Sequence, residues 1–330
     1  MSERLVEYGY AAGWRVVRAL PEPVAGWLFR RAADAAWRRD GRGVRQLAAN
    51  LGRVTGGDPD PLLVRDALRS YARYWMEAFR LPSQSVQRTV ETLHIPERHL
   101  LAEHLDHGRG VVVALPHMAN WDHAGAWVAA QGWPITTVAE RLRPESVFER
   151  FLAYRRSLGM EILPLTGGQQ TPLATLAERV RAGAVVPLLA DRDLSSRGVP
   201  VTFFGEPTRM PAGPALLAIR TGAPLLAASL WYEPGRTCVG LEPVEVPGNG
   251  ELGDRVAVTT QRIAGVFEVG IAAHPVDWHM LQRLWLADLP QRRVGDAPAA
   301  AGDARAAGTR PATGEAPASG DTPAAARADG

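Results

Sequence analysis

The sequence predicts an α/β protein: a mostly parallel mixed sheet flanked by helices, with an N-terminal helical region and a disordered C-terminal tail. Three observations carry that expectation. Between residues 111 and 270, short β-branched apolar runs alternate with segments of helical period, as strands joined by crossover helices do. Two of those runs, GVVVALP and AVVPLLA, are apolar throughout rather than at every second residue, the mark of a strand covered on both faces. From about Arg292 the chain turns to Ala, Gly, Pro, Thr, Asp and Arg, too poor in large apolar side chains to build a core. The divisions expected are a helical, membrane-facing region at 1–90, an α/β core at 91–290 forming one domain with it, and a tail at 291–330.

The first forty residues interleave Tyr8, Tyr10, Trp14, Trp27, Phe29 and Trp37 with seven arginines, and Pro21-Glu22-Pro23 divides them into two helices. Aromatic rings and guanidinium groups on short amphipathic helices suit the bilayer interface; packing on the protein's own core is the other reading of the same pattern. VRQLAANLGRV and PLLVRDALRSYARYWMEAFRL continue the helical period, and Pro82 ends the second run. HIPERHLLAEHLDHGRG then leads to the central strand. His94, His99, His104 and His107 match no metal-ligand spacing, so no metal site is expected. Beyond the centre come the strands PITTVAERL, MEILPL, AVVPLLA and APLLAASLWY and the extended TCVGLEPVEVP. The helices are ESVFERFLAYRRSLG, TPLATLAERVRAG and DRVAVTTQRIAGVFEVGIAAHP, and the amphipathic DWHMLQRLW closes the ordered part.

The organising stretch is GVVVALPHMANWDHAGAW, from Gly110 to Trp127. A buried strand stops at Pro116, and a helix starts a few residues later with Asn120 or Asp122 as its cap. A strand end feeding a helix start is where an open α/β sheet carries its chemistry. His117 stands there, and it is the one histidine with an aspartate, Asp122, five positions on. A neutral histidine serves as a base when a carboxylate holds its other ring nitrogen. Asp122 is the local candidate for that carboxylate. Asp191 is its rival, because it also follows the end of a buried strand.

Composition excludes several classes. A formal charge of +2 gives no signal for a nucleic-acid partner. Every basic residue is arginine, which removes a lysine Schiff base. The one cysteine, Cys238, makes neither an internal disulfide nor a cysteine zinc site and reads as inert core, in keeping with a reducing cytosol. No apolar run is read as approaching the ~20 residues that span a bilayer.

LPHMANWDHAG, LLADRDL, VTFFGEPTRMPAGPALLAIRTGAP and HPVDWHMLQRLW taken together resemble the bacterial lipid A lauroyl/myristoyl acyltransferase family. The likeness is strongest to its actinobacterial branch, the phosphatidylinositol mannoside acyltransferases, and covers roughly residues 1–290. Related glycerolipid acyltransferases often place asparagine before the histidine, where this chain has Pro116. The resemblance implies a peripheral enzyme, monomeric, at the cytoplasmic face of the cell membrane. It would move a long acyl group from acyl-CoA, a substrate rather than a cofactor, to a mannose hydroxyl of phosphatidylinositol mannoside. In that frame His117 takes the hydroxyl proton, Asp122 or Asp191 orients it, and backbone N–H groups or Arg192 meet the oxyanion. Arg141, Arg143 and Arg209 would face the CoA phosphates, and Trp127, Phe203 and Phe204 would line a groove for the acyl chain. Phe203 and Phe204 read equally as core. Glu206, inside the VTFFGEPTRM motif, joins the substrate-binding set. Another lipid acceptor, lipid A-like or glycerol phosphate, and a non-catalytic membrane-binding relative remain as alternatives.

Overall fold

Strand β2, Val111–Leu115, is buried along its whole length. Gly110 lets it enter the sheet: a Cβ there would lie 2.1 Å from the Val180 carbonyl oxygen and 2.7 Å from that of Ala184, so only glycine fits. The computed structural model describes residues 14–139, 145–164, 172–193 and 198–289. The expected tail from 291 onward lies outside the described residues.

Four N-terminal helices come first: α1 (14–19), α2 (Glu22–Arg39), α3 (Arg42–Thr55) and α4 (Pro61–Arg80). Pro61 opens α4 where a missing N–H costs nothing, and Asp60 caps it by accepting from Leu62 N–H. Ala33, Leu47, Leu51, Ala67 and Leu68 close a small core of their own among α2, α3 and α4. The chain then runs through α5 (Val86–Glu91), β1 (Leu93–His94), α6 (His99–Leu105), β2 and α7 (Trp121–Ala130). Next come β3 (Thr136–Ala139), α8 (Glu145–Ser157), β4 (Glu161–Pro164), α9 (Pro172–Arg181) and β5 (Val185–Leu189). β6 (Val199–Phe203), β7 (Glu206–Met210), α10 (Gly213–Thr221), β8 (Leu225–Glu233), β9 (Arg236–Pro243) and α11 (Leu252–Ala273) complete the order.

The principal sheet has the order β1-β9-β8-β2-β5, parallel except where β8 and β9 form an antiparallel hairpin. β3 and β4 pair in parallel and join β5 through the Ile135–Val185 bridge and the Thr137 hydroxyl, which donates to Pro187 O. The expected fold class is therefore the observed one. β6 and β7 form a separate hairpin that turns at Phe204-Gly205, both at positive φ. Gln261 of α11 reads one residue of β6 twice, accepting from Thr202 N–H and donating to Thr202 O, while Glu268 accepts from Phe204 N–H.

One sequence expectation is corrected here. α11 is long and apolar enough, by length and composition, to cross a membrane; Ile263, Ala264, Phe267 and Ile271 bury its inner face in the main core. The amphipathic DWHMLQRLW follows α11. It is an extended strap held by backbone bridges from Trp278 to Met118 and from Trp285 to Thr208. Tertiary burial of Trp278, Met280, Leu284 and Trp285 fixes it in place of helical hydrogen bonds.

Candidate active site

β2 and β5 run in parallel register, Val111 opposite Val185 through Leu115 opposite Leu189. Ala190 N–H donates to Leu115 O and carries the pairing one residue further. His117 and Asp191 each stand two residues beyond the last registered pair, so the sheet sets them side by side.

Asp191 is fully buried and accepts from His117 Nδ1 at 2.6 Å, His117 N–H at 3.0 Å and Trp278 Nε1 at 3.0 Å. Burial pushes its carboxyl up, but the charge of His117 and these hydrogen bonds outweigh burial and hold it below its ordinary value. An ionised carboxylate only accepts, so Nδ1 carries a proton, and when the ring is neutral its lone pair sits on Nε2. The His117 side chain is 28% exposed and stands edge-on to Trp121, with ring centroids 5.6 Å apart. Asp191 and His117 thus form the dyad that suits a general base.

Asp122 is elsewhere engaged. Its carboxylate accepts from Arg155 Nε at 2.7 Å and from the Tyr74 hydroxyl at 3.2 Å, in a nearly dry setting that joins α7 to α8 and α4. Burial alone would lower the Arg155 guanidinium, yet the Asp122 charge carries it above its ordinary value. Asn120 is the cap of α7, accepting from His123 N–H and donating to Glu77.

A cavity of about 440 Å³ opens at His117. Asp122, Arg155, Arg192 and Asp193 supply its polar edge, and Leu115, Ile135, Met160, Leu176 and Leu188 are among its apolar walls. Pro211 to Pro214, at the start of α10, complete the rim. A smaller apolar cavity of about 60 Å³ shares Leu115, Trp121, Gly125, Ile135 and Pro187 with the first. A Cβ on Gly125 would meet the Met160 sulfur at 2.8 Å, so this glycine keeps the shared wall thin.

The other expected substrate residues fare unevenly. Arg192 is at the cavity, whereas Arg141 and Arg143 lie outside the described residues. Trp127 is buried against Trp133, and Phe203 against Trp278 and Trp285, with Phe204 packed on Phe203. None of the three lines the cavity; rings of that size were drawn into the core by the area they bury. Glu206 accepts from Arg53, which also pairs with Asp288 and stacks on Trp285. Arg209 sits on β7 opposite Pro200, away from the cavity lining.

The strap around Trp278 is the part that sequence reasoning missed. Asp277 O accepts from Ala119 N–H and His279 N–H donates to His117 O, which brackets Met118. Ala119 is thereby held at φ +43°, a conformation that few non-glycine residues adopt. Ser70 donates to Asp277 at 2.6 Å and therefore accepts from His279 Nε2 at 3.0 Å. His279 Nδ1 is buried without a hydrogen-bond partner among the described residues. Burial, with the neighbouring His117 adding to it, pushes the His279 imidazole down to about 3. Only the density of aromatic residues in HPVDWHMLQRLW hinted at this role. Among the described residues no group of three or more His, Cys, Asp or Glu is placed to hold a metal.

Comparison with known proteins identifies the family of the chain. Residues 1–287 match the family model for bacterial lipid A biosynthesis acyltransferase. A phosphatidylinositol mannoside acyltransferase of Mycolicibacterium smegmatis is 48% identical over 293 residues, 88% of this chain and 94% of that one. A protein of the same name from Mycobacterium tuberculosis is 48% identical over 297 residues, 87% of this chain and 90% of that one.

The buried imidazole of His279 sets a direction for acid stability. The unfolded chain protonates this histidine near its ordinary value and the folded chain only near 3, so stability falls as pH drops through that window. The expected slope is about 1.4 kcal/mol per pH unit for the one proton. Urea midpoints at pH 6.5 and 4.5 check it: His279→Gln should lose less stability than wild type over that interval, and equal losses would refute the assignment.

Proposed function

We propose, for a chain that belongs to the bacterial lipid A biosynthesis acyltransferase family, that it transfers a long fatty acyl group from acyl-CoA to a mannose hydroxyl of a phosphatidylinositol mannoside. The chain is an acyltransferase by its family; donor, acceptor and base are the proposal. The observation that carries it is the dyad of part-exposed His117 and buried Asp191, whose second ring nitrogen has no hydrogen-bond partner among the described residues and stands at an apolar cavity. The names of the mycobacterial relatives support the acceptor.

The mannose oxygen attacks the thioester carbonyl carbon while His117 Nε2 takes its proton. A sugar hydroxyl is too weak a nucleophile at neutral pH to attack without such a base. Asp191 keeps Nδ1 protonated and stabilises the imidazolium that forms. Arg192, at the cavity edge, is the candidate to meet the oxyanion. Collapse breaks the C–S bond, and the CoA sulfur leaves with the proton that the imidazolium returns. The thioester is already activated, so no acyl-enzyme is needed. The acyl chain occupies the cavity, where each buried methylene gains about 0.8 kcal/mol. Arg141 and Arg143, which follow β3 in sequence, stay the proposed partners of the CoA phosphates.

A peripheral position at the cytoplasmic face of the cell membrane belongs to the same proposal. Val24, Trp27, Leu28 and Arg31 follow one another at helical spacing on α2, and all four are exposed. Val16 on α1 is exposed as well, and so are Arg15 and Arg30, while Arg18 donates to Phe79 O and lies over the Trp14 ring. That combination of apolar and cationic side chains suits an anionic lipid surface.

Four measurements test the proposal. Mass spectrometry of lipids after mixing the protein with palmitoyl-CoA and dimannosylated phosphatidylinositol should show one added acyl group. His117→Ala should fold normally and cut the rate by two to four orders of magnitude, roughly the worth of a general base; near-wild-type turnover would remove His117 from the mechanism. Gly125→Val should shift donor preference toward shorter chains with the acceptor KM unchanged, and an unchanged chain-length profile would place the acyl group elsewhere. Changing both Trp27 and Leu28 to Ser should weaken co-sedimentation with phosphatidylinositol vesicles about tenfold or more, by loss of buried apolar area, with little effect on thermal stability. Unaltered vesicle binding would show that α2 is not the contact.

A further inference from the structure

We propose that Trp278 is a positioning residue for acyl transfer, its indole N–H fixing the Asp191 carboxylate that orients His117. The inference rests on the reading of His117 as the general base.

Two carboxylate oxygens hold the dyad in place. Oδ1 accepts the hydrogen bond from His117 Nδ1, and Oδ2 accepts from the backbone N–H of His117 and from the indole N–H of Trp278, each at 3.0 Å. Trp278 and Asp191 are both fully buried, so no solvent replaces the indole donor. The ring itself has little room to turn. It packs edge-on against Phe203 and Trp285, with centroids 6.2 Å and 6.1 Å away. Its backbone is pinned on both sides, by Ala119 N–H to Asp277 O at 2.9 Å and His279 N–H to His117 O at 2.8 Å. Asp277, next in the chain, is anchored in turn by Ser70 at 2.6 Å and by the backbone N–H of Tyr232 at 2.9 Å.

Removing the indole N–H has two consequences. The carboxyl torsion of aspartate is broad, so a carboxylate with one donor fewer holds the Nδ1 direction less tightly. A less solvated carboxylate is also more basic and grips the imidazolium harder, so the acid side of the rate profile moves up. The other charged groups around the dyad stay as they are. Arg192 and Asp193 follow Asp191 on its loop, and Asp122 and Arg155 pair at the cavity from α7 and α8. Asp277 is bonded to Ser70, and the buried His279 stays neutral. Trp278 does not line the cavity, so donor binding should not depend on it.

The test is Trp278→Phe in the full-length chain with palmitoyl-CoA as donor. The expected result is a kcat about tenfold lower, the scale of one hydrogen bond to a charged group. The KM for the donor should be unchanged and the acid limb of kcat/KM displaced to higher pH. In the Asp191→Asn background the same substitution should cost much less, because the two residues act in one chain of contacts. If the phenylalanine leaves the protein unfolded, the benzothiophene isostere of tryptophan placed at 278 keeps the shape and lacks the N–H. A folded variant with unchanged kcat and acid limb, or with additive losses in the double substitution, overturns the role and leaves His117 as base. A His117→Ala enzyme of wild-type rate overturns the base reading, and this role with it.

Discussion

The parallel register of β2 on β5 is the constraint on which the site depends. Each residue of β2 faces the residue 74 positions later, and the same interval separates His117 from Asp191. A strand alternates its side chains between two faces, so a slip by one residue would send Asp191 to the opposite side of the sheet. Gly110 guards that register where β2 enters, because its backbone passes against Val180 and Ala184 too closely for any side chain. The dyad is therefore specified by main-chain pairing before any side chain of the site is considered.

A buried carboxylate costs several kcal/mol unless its lone pairs are met. Asp191 meets that cost with partners drawn from two distant parts of the chain: the residue beyond β2 and the strap after α11. Ala119 stores some backbone strain in the same place, held by the strap rather than by its own loop. Site and strap stand or fall together, since each supplies hydrogen bonds that the other lacks.

The legible part of the fold followed from local chemistry. The apolar run of β2, the stop at Pro116, the cap at Asn120 and the alternation of strands and helices are all written in neighbouring residues. The choice between Asp122 and Asp191 was not legible, because proximity in sequence favoured an aspartate that the fold commits to Arg155 and Tyr74. Trp127 and Phe203 misled for a related reason. Hydrophobicity marks a residue for burial but does not separate core from cavity wall, and the largest rings go to the core. The walls are made instead by Gly125, Ile135, Met160 and several leucines, whose pattern is that of any buried segment. The strap escaped because its partners are far away in sequence: Asp191 lies 87 residues from Trp278.

The β6–β7 hairpin stands apart from the main sheet, and a two-stranded ribbon ordinarily leaves both its outer rows of amide and carbonyl groups ready to recruit another chain. Here each row is occupied from within. Gln261 imitates a passing strand for Thr202, Glu268 takes the next free amide, and Trp285 bridges to Thr208 on the far side. The ribbon is thus finished like a hem, and copies of the protein crowded together find little there to stitch onto.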